Sequence, residues 1–411
     1  MAERAALERD LDRIVGRRGI RHAVLAIASG DGALNEAVAA GTARAEGEPM
    51  RPDTPFHYAS VTKLYTATVV MQLWEQSRLE LGAPLTAYLP GALTDGIHRL
   101  DGVDRSGAIT VRHLLSHTSG LPDYFLEAPS GELSIADRIV RGDLTYTPDD
   151  VISRVRRLTP YFPPQDPTAR RQRARYSDTN FQLLGAIVAT VTGSTFEQAV
   201  ETQLLQPLGL GDCWFAGHPR SDHPRNDRPS RTDHPRTDHP RNGAARNGTP
   251  RNDSARAGDT RTAVMWSGDD VLDVPRAMAC MGPEGGLVGT AAAAIRFLRA
   301  LVAGEPFRFG STFGHMQARW NRFGLPRDRT AIMAPSWPIE YGLGVKRFRL
   351  PRPLNAGRRT LTLIGHTGAS GSWLFWSPED DLYLAGTVDQ TAAAAVPYRF
   401  VPKVVTRLRR R

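Results

Sequence analysis

Ser60 and Lys63 stand three residues apart at the start of SVTKLYTATVVMQLW, a segment that is apolar on nearly every side. On a helix, this spacing places both side chains on one face, within hydrogen-bonding reach. A lysine amine that burial keeps neutral can withdraw the serine proton, so that the serine attacks an acyl carbon. The pattern predicts a nucleophilic serine with a lysine base. A capping serine followed by a lysine in the first helical turn gives the same pattern without chemistry.

Lysine is rare in this chain. Only three of its 52 Lys and Arg residues are lysines, at positions 63, 346 and 403. Arginine cannot give up its proton in a protein, whereas lysine can. A lysine at position 63 therefore favours the chemical interpretation.

Tyr176 begins the run YSDTNFQLLGAIV, where a short turn precedes an apolar helix predicted over residues 180–192. Such a turn can hold side chains in a cleft, and a tyrosine hydroxyl beside a lysine can relay a proton to a leaving group. An aromatic anchor, with Asp178 or Thr179 as the helix cap, is the structural alternative.

The run GHTGASGS, at residues 365–372, contains four glycines ahead of a strand rich in aromatic residues. Small residues there let a substrate lie against the backbone. A backbone N–H of this run can form an oxyanion hole with that of Ser60. A glycine-rich turn without this role is the alternative.

The elements that must position these residues come from both ends of the chain. Residues 4–17 predict a helix, residues 22–41 a hairpin, and the last quarter alternates strand-like runs before a basic helix. The middle of the chain is mainly helical in pattern. We expect an α/β (α+β) fold, in which a central antiparallel sheet is flanked by helices and joined by a helical lobe.

The expected domains are an α/β lobe from residues 1–85 and 263–411, a helical lobe from residues 86–216, and a disordered insert over residues 217–262. The insert is rich in Arg, His and Pro and has almost no apolar residue to bury. Its repeated histidines do not have the spacing of a closed metal site, so we expect no metal. These histidines are His218, His223, His234 and His239.

The formal charge of +9 does not indicate nucleic-acid binding, because the excess lies in the insert and in the terminal RLRRR rather than on a folded face. No apolar run is long enough to span a bilayer. The N-terminus lacks the features of a secretory signal, which predicts a cytoplasmic protein. Cys213 and Cys280 are too few for a disulfide framework and are expected to be reduced.

SVTK, YSD and HTG, in this order, resemble the three signature elements of the serine β-lactamase and penicillin-binding-protein superfamily. The resemblance is closest to the branch with class C β-lactamases, D-Ala-D-Ala carboxypeptidases, D-aminopeptidases and related esterases. Further similar runs are HLLSHTSGLPDY, GGLVGTAAAAIRF and YGLGV, so the likeness covers nearly the whole chain except the insert.

This resemblance implies a β-lactamase/transpeptidase-like fold, with Ser60 as nucleophile and with Lys63 and Tyr176 as proton-transfer groups. It implies an oxyanion hole formed by the N–H groups of Ser60 and Ala369. It gives His117 a structural role. The residues expected to contact substrate are Asp178, His366, Thr367, Gly368 and Ala369.

Two positions depart from the commonest pattern of the superfamily. Asp178 stands where many members have Asn, and a carboxylate can hold Lys63 charged. His366 replaces the lysine of the KTG form of the third motif, and a mostly neutral histidine anchors a substrate carboxylate less well. We therefore expect little β-lactamase activity.

The predicted function is a two-step acyl transfer to water from a small-molecule carboxylic ester or small amide, without a metal or an organic cofactor. A D-amino-acid peptidase or carboxypeptidase and an acyltransferase are alternatives, as is a catalytically silent binding protein with the same fold. The sequence has no GxSxG, HExxH or GxxxxGK motif, which argues against other hydrolase and nucleotide chemistry. The oligomeric state is not predicted.

Overall fold

The computed structural model describes residues 2–45, 47–218, 261–323, 339–355 and 359–409. The strands in these ranges are β1 (His22–Ser29), β2 (Asn35–Gly41), β3 (Phe56–His57), β4 (Arg99–Leu100), β5 (Val103–Asp104), β6 (Cys213–Phe215), β7 (Met265–Ser267), β8 (Asp270–Leu272), β9 (Leu287–Gly289), β10 (Asn321–Arg322), β11 (Ile339–Tyr341), β12 (Lys346–Leu350), β13 (Leu361–Thr367), β14 (Trp373–Ser377) and β15 (Leu382–Thr387).

The helices in the same ranges are α1 (Ala2–Asp12), α2 (Thr62–Glu75), α3 (Gly91–Thr94), α4 (Val111–Leu115), α5 (Ile135–Arg141), α6 (Pro148–Val155), α7 (Asp178–Thr192), α8 (Phe196–Val200), α9 (Pro275–Cys280), α10 (Gly282–Gly285), α11 (Ala291–Ala303), α12 (Thr312–Met316) and α13 (Pro397–Leu408).

A large antiparallel sheet joins the two ends of the chain. Its described strands follow the order β10-β11-β12-β13-β14-β15-β1-β2. Strand β1 pairs with β2 on one side and with β15 on the other, where Val24 lies opposite Thr387. The predicted antiparallel sheet completed by distant segments is therefore confirmed, as is the mixed helix and sheet class.

The sheet is buried on both faces. In β1, alternate residues belong to different cores: Val24 and Ala26 face one side, whereas Leu25 and Ile27 face the other. This alternation follows from the two-residue period of a strand. Helices α1 and α13 cover the second face, and the other face carries α2 and α11 with the helices of the middle of the chain.

Helix α2 runs through the centre of the first core. Twelve of its residues, from Thr62 to Leu73, are buried, which agrees with its apolar sequence on nearly every side. Helix α4 begins with a capping box in which Thr110 and His113 exchange side-chain to backbone hydrogen bonds.

Some predictions fall partly outside the described structure. Residues 219–260 of the predicted insert are not among the described residues, so its disorder and the assignment of domains by residue range stay predictions. Cys213 and Cys280 form no disulfide. None of the described helices is alone long and apolar enough to cross a membrane; α7 passes that test only together with residues Phe196–Leu205, from which it is bent by 74°.

Candidate active site

Ser60 lies in a single 3-10 turn, Ala59–Val61, that leads directly into α2. Ala59 has a φ of 45°, in the left-handed region that residues other than glycine rarely adopt. Strained backbone of this kind persists only where the surrounding structure holds it, and it is often found at functional sites. The strain stands directly before the predicted nucleophile.

Lys63 is fully buried, and its Nζ has three oxygen neighbours. It lies 3.1 Å from Ser60 Oγ and 2.9 Å from the backbone oxygen of Glu284. It also forms an ion pair of 2.6 Å with Asp178 Oδ1. The predicted proximity of serine and lysine on one helix face is thus present, and a carboxylate is the lysine's closest described partner.

The turn after β13 packs directly against the backbone before Ser60. Ser372 Oγ donates to the Tyr58 oxygen at 2.7 Å. A Cβ on Gly368 would lie 2.7 Å from that same oxygen and 2.8 Å from the Ala59 Cβ, so only glycine allows this approach. Ala369 follows in the same turn, which brings its backbone close to the start of α2 as a shared oxyanion hole requires.

Tyr176, the second predicted proton-transfer group, lies beside Lys63. Its ring centroid is 5.1 Å from Lys63 Nζ. The hydroxyl is buried and makes no hydrogen bond within the described residues. Burial raises the pKa of Tyr176 well above its ordinary value and the Asp178 charge raises this pKa further, whereas the nearby Ser60 hydroxyl lowers it. The resting tyrosine is therefore neutral and has a proton to give.

His117 fixes the turn that carries Tyr176. Its ring lies tilted against the Tyr176 ring, with 4.5 Å between the centroids, and its Nδ1 accepts from the backbone N–H of Ser177 and from the Asn180 amide. Burial and the charges of Lys63 and Lys346 lower the pKa of His117 well below its ordinary value. A neutral histidine that holds a turn fits the predicted structural role.

Three carboxyl groups influence one another around Lys63. Besides Asp178, they are Asp123 and Glu284, which are almost completely buried. Burial raises the pKa of both well above the ordinary range, and the Asp178 charge adds to the effect. Tyr124 donates a short hydrogen bond to Glu284 Oε1. The pair formed by Lys63 and Asp178 thus lies among carboxyl groups whose protonated form is favoured by burial.

His366 and Thr367 are buried at the end of β13. His366 Nδ1 donates to the Thr367 oxygen at 2.8 Å, and its Nε2 accepts from the Tyr341 hydroxyl at 2.9 Å. Burial, followed by the charges of Lys346 and Lys63, lowers the pKa of His366 well below its ordinary value. Because both nitrogens are occupied, His366 has no free donor for a substrate in this arrangement.

Lys346 was not among the residues predicted to form the site. The structure places its Nζ 2.9 Å from Thr367 Oγ1 and 5.5 Å from the centre of the Tyr176 ring. The rarity of lysine was the only signal in the sequence that singled it out.

A cavity of about 300 Å³ lies elsewhere, between α6, α7 and the segment with α9 and α10. None of the predicted catalytic or substrate-contacting residues lines it. Among the described residues, no group of three His, Cys, Asp or Glu side chains is arranged to hold a metal ion.

The comparison with protein families agrees with this geometry. The model of the Beta-lactamase family matches residues 7–399. The chain belongs to the Beta-lactamase family. The predicted resemblance to serine β-lactamases and penicillin-binding proteins is confirmed.

An esterase and a penicillin-binding protein are among the relatives of similar sequence. The chain is 38% identical to Esterase EstB of Burkholderia gladioli over 176 residues, a match that covers 42% of this chain and 41% of the esterase. It is 31% identical to Penicillin-binding protein 4 of Amycolatopsis lactamdurans over 185 residues, a match that covers 44% of this chain and 41% of that protein. The matches thus span about two fifths of the length of these relatives.

The D-amino acid amidase of Ochrobactrum anthropi SV3 has a similar fold, with a TM-score of 0.71 and 20% sequence identity over the whole of both chains. This likeness supports the fold and carries no information on substrate.

Proposed function

We propose that this family member is a serine hydrolase that forms an acyl-enzyme on Ser60 and transfers the acyl group to water. The observation that carries the proposal is the 3.1 Å contact of Lys63 Nζ with Ser60 Oγ at the start of a buried helix. A base must lie within hydrogen-bond reach of the proton that it removes.

In the first step, Ser60 Oγ attacks the carbonyl carbon of the substrate and its proton passes to the group formed by Lys63 and Tyr176. The N–H groups of Ser60 and Ala369 stabilise the oxyanion of the tetrahedral intermediate. The leaving alcohol or amine takes a proton from the same group as its bond to the acyl carbon breaks. In the second step, that group activates a water molecule, which releases the acid and regenerates Ser60.

The ion pair of Lys63 with Asp178 bears on the first step. An ammonium cannot accept the serine proton, and a carboxylate at 2.6 Å favours the ammonium form. Lys63 therefore has to release a proton before or during attack. Asp178 and the Tyr176 hydroxyl are the neighbouring groups in the described structure that can take part in that release.

A small carboxylic ester is the proposed substrate class, ahead of a small amide. Esters have a better leaving group than amides, which suits a base that is partly held in its charged form. The 38% identity to an esterase over 176 residues supports this choice. His366 offers no free charged donor for the carboxylate of a β-lactam, which weighs against penicillins as good substrates.

Intact-protein mass spectrometry tests the proposal. The protein is exposed briefly to a fluorophosphonate, to p-nitrophenyl butyrate and to a penicillin. We expect a stable fluorophosphonate adduct and a transient butyryl adduct, both lost in Ser60→Ala. Ser130→Ala, which changes an exposed serine, is the matched control and should be labelled like the wild type.

Labelling that persists in Ser60→Ala would refute Ser60 as the nucleophile. A folded wild-type protein that none of the three reagents labels would instead favour a silent binding protein. A penicillin adduct with no butyryl adduct would move the substrate class away from esters. Product analysis with added alcohols or amines separates hydrolysis from acyl transfer.

A further inference from the structure

Lys346 is a buried lysine without a carboxylate partner. Its residue is 7% exposed, and no acidic oxygen of the described residues lies within ion-pair distance. Its Nζ donates to Thr367 Oγ1 at 2.9 Å and to the Tyr398 hydroxyl at 3.3 Å. Hydroxyl oxygens solvate an ammonium less well than a carboxylate does, so this lysine can lose its charge easily.

The ring of Tyr176 lies between two lysine amines. The distances from its centroid are 5.1 Å to Lys63 Nζ and 5.5 Å to Lys346 Nζ. A cation at this distance is attracted to the aromatic ring. The same cation is attracted still more strongly once the phenol oxygen carries negative charge, and it stabilises that charge. Tyr176 needs such stabilisation, because burial opposes the loss of its proton.

The HTG run at residues 366–368 does not provide a positive charge near Tyr176. His366 is neutral and fully engaged in hydrogen bonds. Burial, followed by the charge of Lys63, lowers the pKa of Lys346 to about 7, and the charge of Asp178 opposes both. The polar or titratable groups that face Lys346 from the surrounding elements are Tyr341, His366, Thr367, Tyr398, Tyr176, His117, Lys63 and Asp178.

We propose that Lys346 is a positioning residue that acts through Tyr176: its ammonium form stabilises the charge that develops on the Tyr176 hydroxyl during proton transfer, and acylation slows when that ammonium loses its proton. The proposal rests on the proposed acyl-enzyme at Ser60. No covalent step at Lys346 is involved. Thr367 orients the Lys346 amine, and Tyr176 responds to the charge of that amine.

The test measures the second-order rate constant of labelling by a neutral fluorophosphonate between pH 5.5 and 9. The proteins compared are the wild type, Lys346→Met and Lys403→Met, which changes an exposed lysine of α13. We expect the wild type to react about tenfold faster than Lys346→Met at pH 6 and equally fast at pH 8.5. Lys403→Met should follow the wild type throughout. A ratio that does not change with pH would overturn the proposal.

A double-variant cycle tests whether the effect passes through Tyr176. In a Tyr176→Phe background, the change Lys346→Met should have no further effect at any pH. A tenfold effect that survives in this background would show that Lys346 acts on the substrate or on the fold, and would refute the proposal. A loss seen only with a fluorophosphonate that bears a carboxylate would refute it as well, in favour of substrate anchoring.

Lys346→Arg serves if the Met variant does not fold, as judged by circular dichroism. Arginine keeps its charge at all these pH values. This variant should therefore lack the fall in rate above pH 7, and a fall like that of the wild type would contradict the proposal. The Ser60→Ala control separates the two proposals. Labelling that persists in Ser60→Ala, or a wild type that is not labelled, would reject the acyl-enzyme at Ser60. Labelling that depends on Ser60 but shows a ratio that does not change with pH would reject only the role of Lys346.

Discussion

The two lysines of the site are both buried, but they have different neighbours. Lys63, at the start of α2, lies 2.6 Å from a carboxylate. Lys346, at the start of β12, is bonded only to hydroxyl groups in the described structure. Lys63 thus has a charged partner, whereas the pKa of Lys346 lies at about 7, so that its charge varies near neutral pH. The two buried lysines therefore differ in the type of acceptor that their amines meet.

The difference also separates their functions. Lys63 contacts the hydroxyl of the nucleophile and has to move its proton. Lys346 does not reach Ser60 in the described contacts and influences the neighbouring Tyr176 by its charge. We expect changes at Lys63 to affect the reaction at every pH, and changes at Lys346 to do so only where its amine is charged.

The largest expected effect belongs to Lys63→Met. Removal of the amine leaves the serine without its base, so the labelling rate should fall about 10³- to 10⁴-fold at all pH values between 5.5 and 9. The measurement is fluorophosphonate labelling, with Lys403→Met as the control. A loss of less than tenfold in a folded variant would mean that Tyr176 alone is the base.

The proximity of Ser60 and Lys63 could be predicted from the sequence because it is local. Three residues of helix define the distance between them, whatever the rest of the fold does. The hairpin of β1 and β2 was likewise predicted from local periodicity and turn residues.

The Lys346 side was not predicted, because it depends on pairing between distant segments. Lys346 meets Thr367 only because β12 and β13 pair with Lys346 opposite Gly365. It meets Tyr398 only because α13 returns to the same face of the sheet. The burial of Glu284 beside Asp178 has the same origin, since 106 residues of chain separate the two.

The second prediction concerns the turn that holds Ala369, whose N–H is the proposed second donor of the oxyanion hole. A Cβ at Gly368 meets Tyr58 and Ala59, so Gly368→Ala should push the turn away from Ser60. We expect a loss of labelling rate of about 10²-fold, the effect of one displaced oxyanion donor. Gly107→Ala is the control, because a Cβ there meets nothing within 4 Å. A variant as active as the wild type would remove Ala369 from the oxyanion hole.

The third prediction uses Lys346 as a probe of stability. Its pKa is about 7 in the folded protein, against an ordinary value of 10.5, so the unfolded chain binds more protons between these pH values. Stability from this group therefore rises with pH in that window. Between pH 7 and pH 9 the wild type should gain about 2 kcal/mol of unfolding free energy relative to Lys346→Met.

Urea denaturation of both proteins at the two pH values measures this difference. Lys403→Met controls for the loss of an exposed lysine. A free-energy difference that stays constant with pH would show that Lys346 keeps one charge state across the window.

The smallest expected effect belongs to a variant in which Lys63, like Lys346, has no carboxylate partner. Asp178→Asn replaces the carboxylate by an amide of similar size and removes the charge that lies 2.6 Å from Lys63 Nζ. A negative charge there opposes the loss of a proton from the lysine, so labelling should become roughly tenfold faster without it. Asp149→Asn, at an exposed position, is the control. A labelling rate that does not rise would show that the ion pair does not limit the base, and the different neighbours of the two lysines would not explain their different roles.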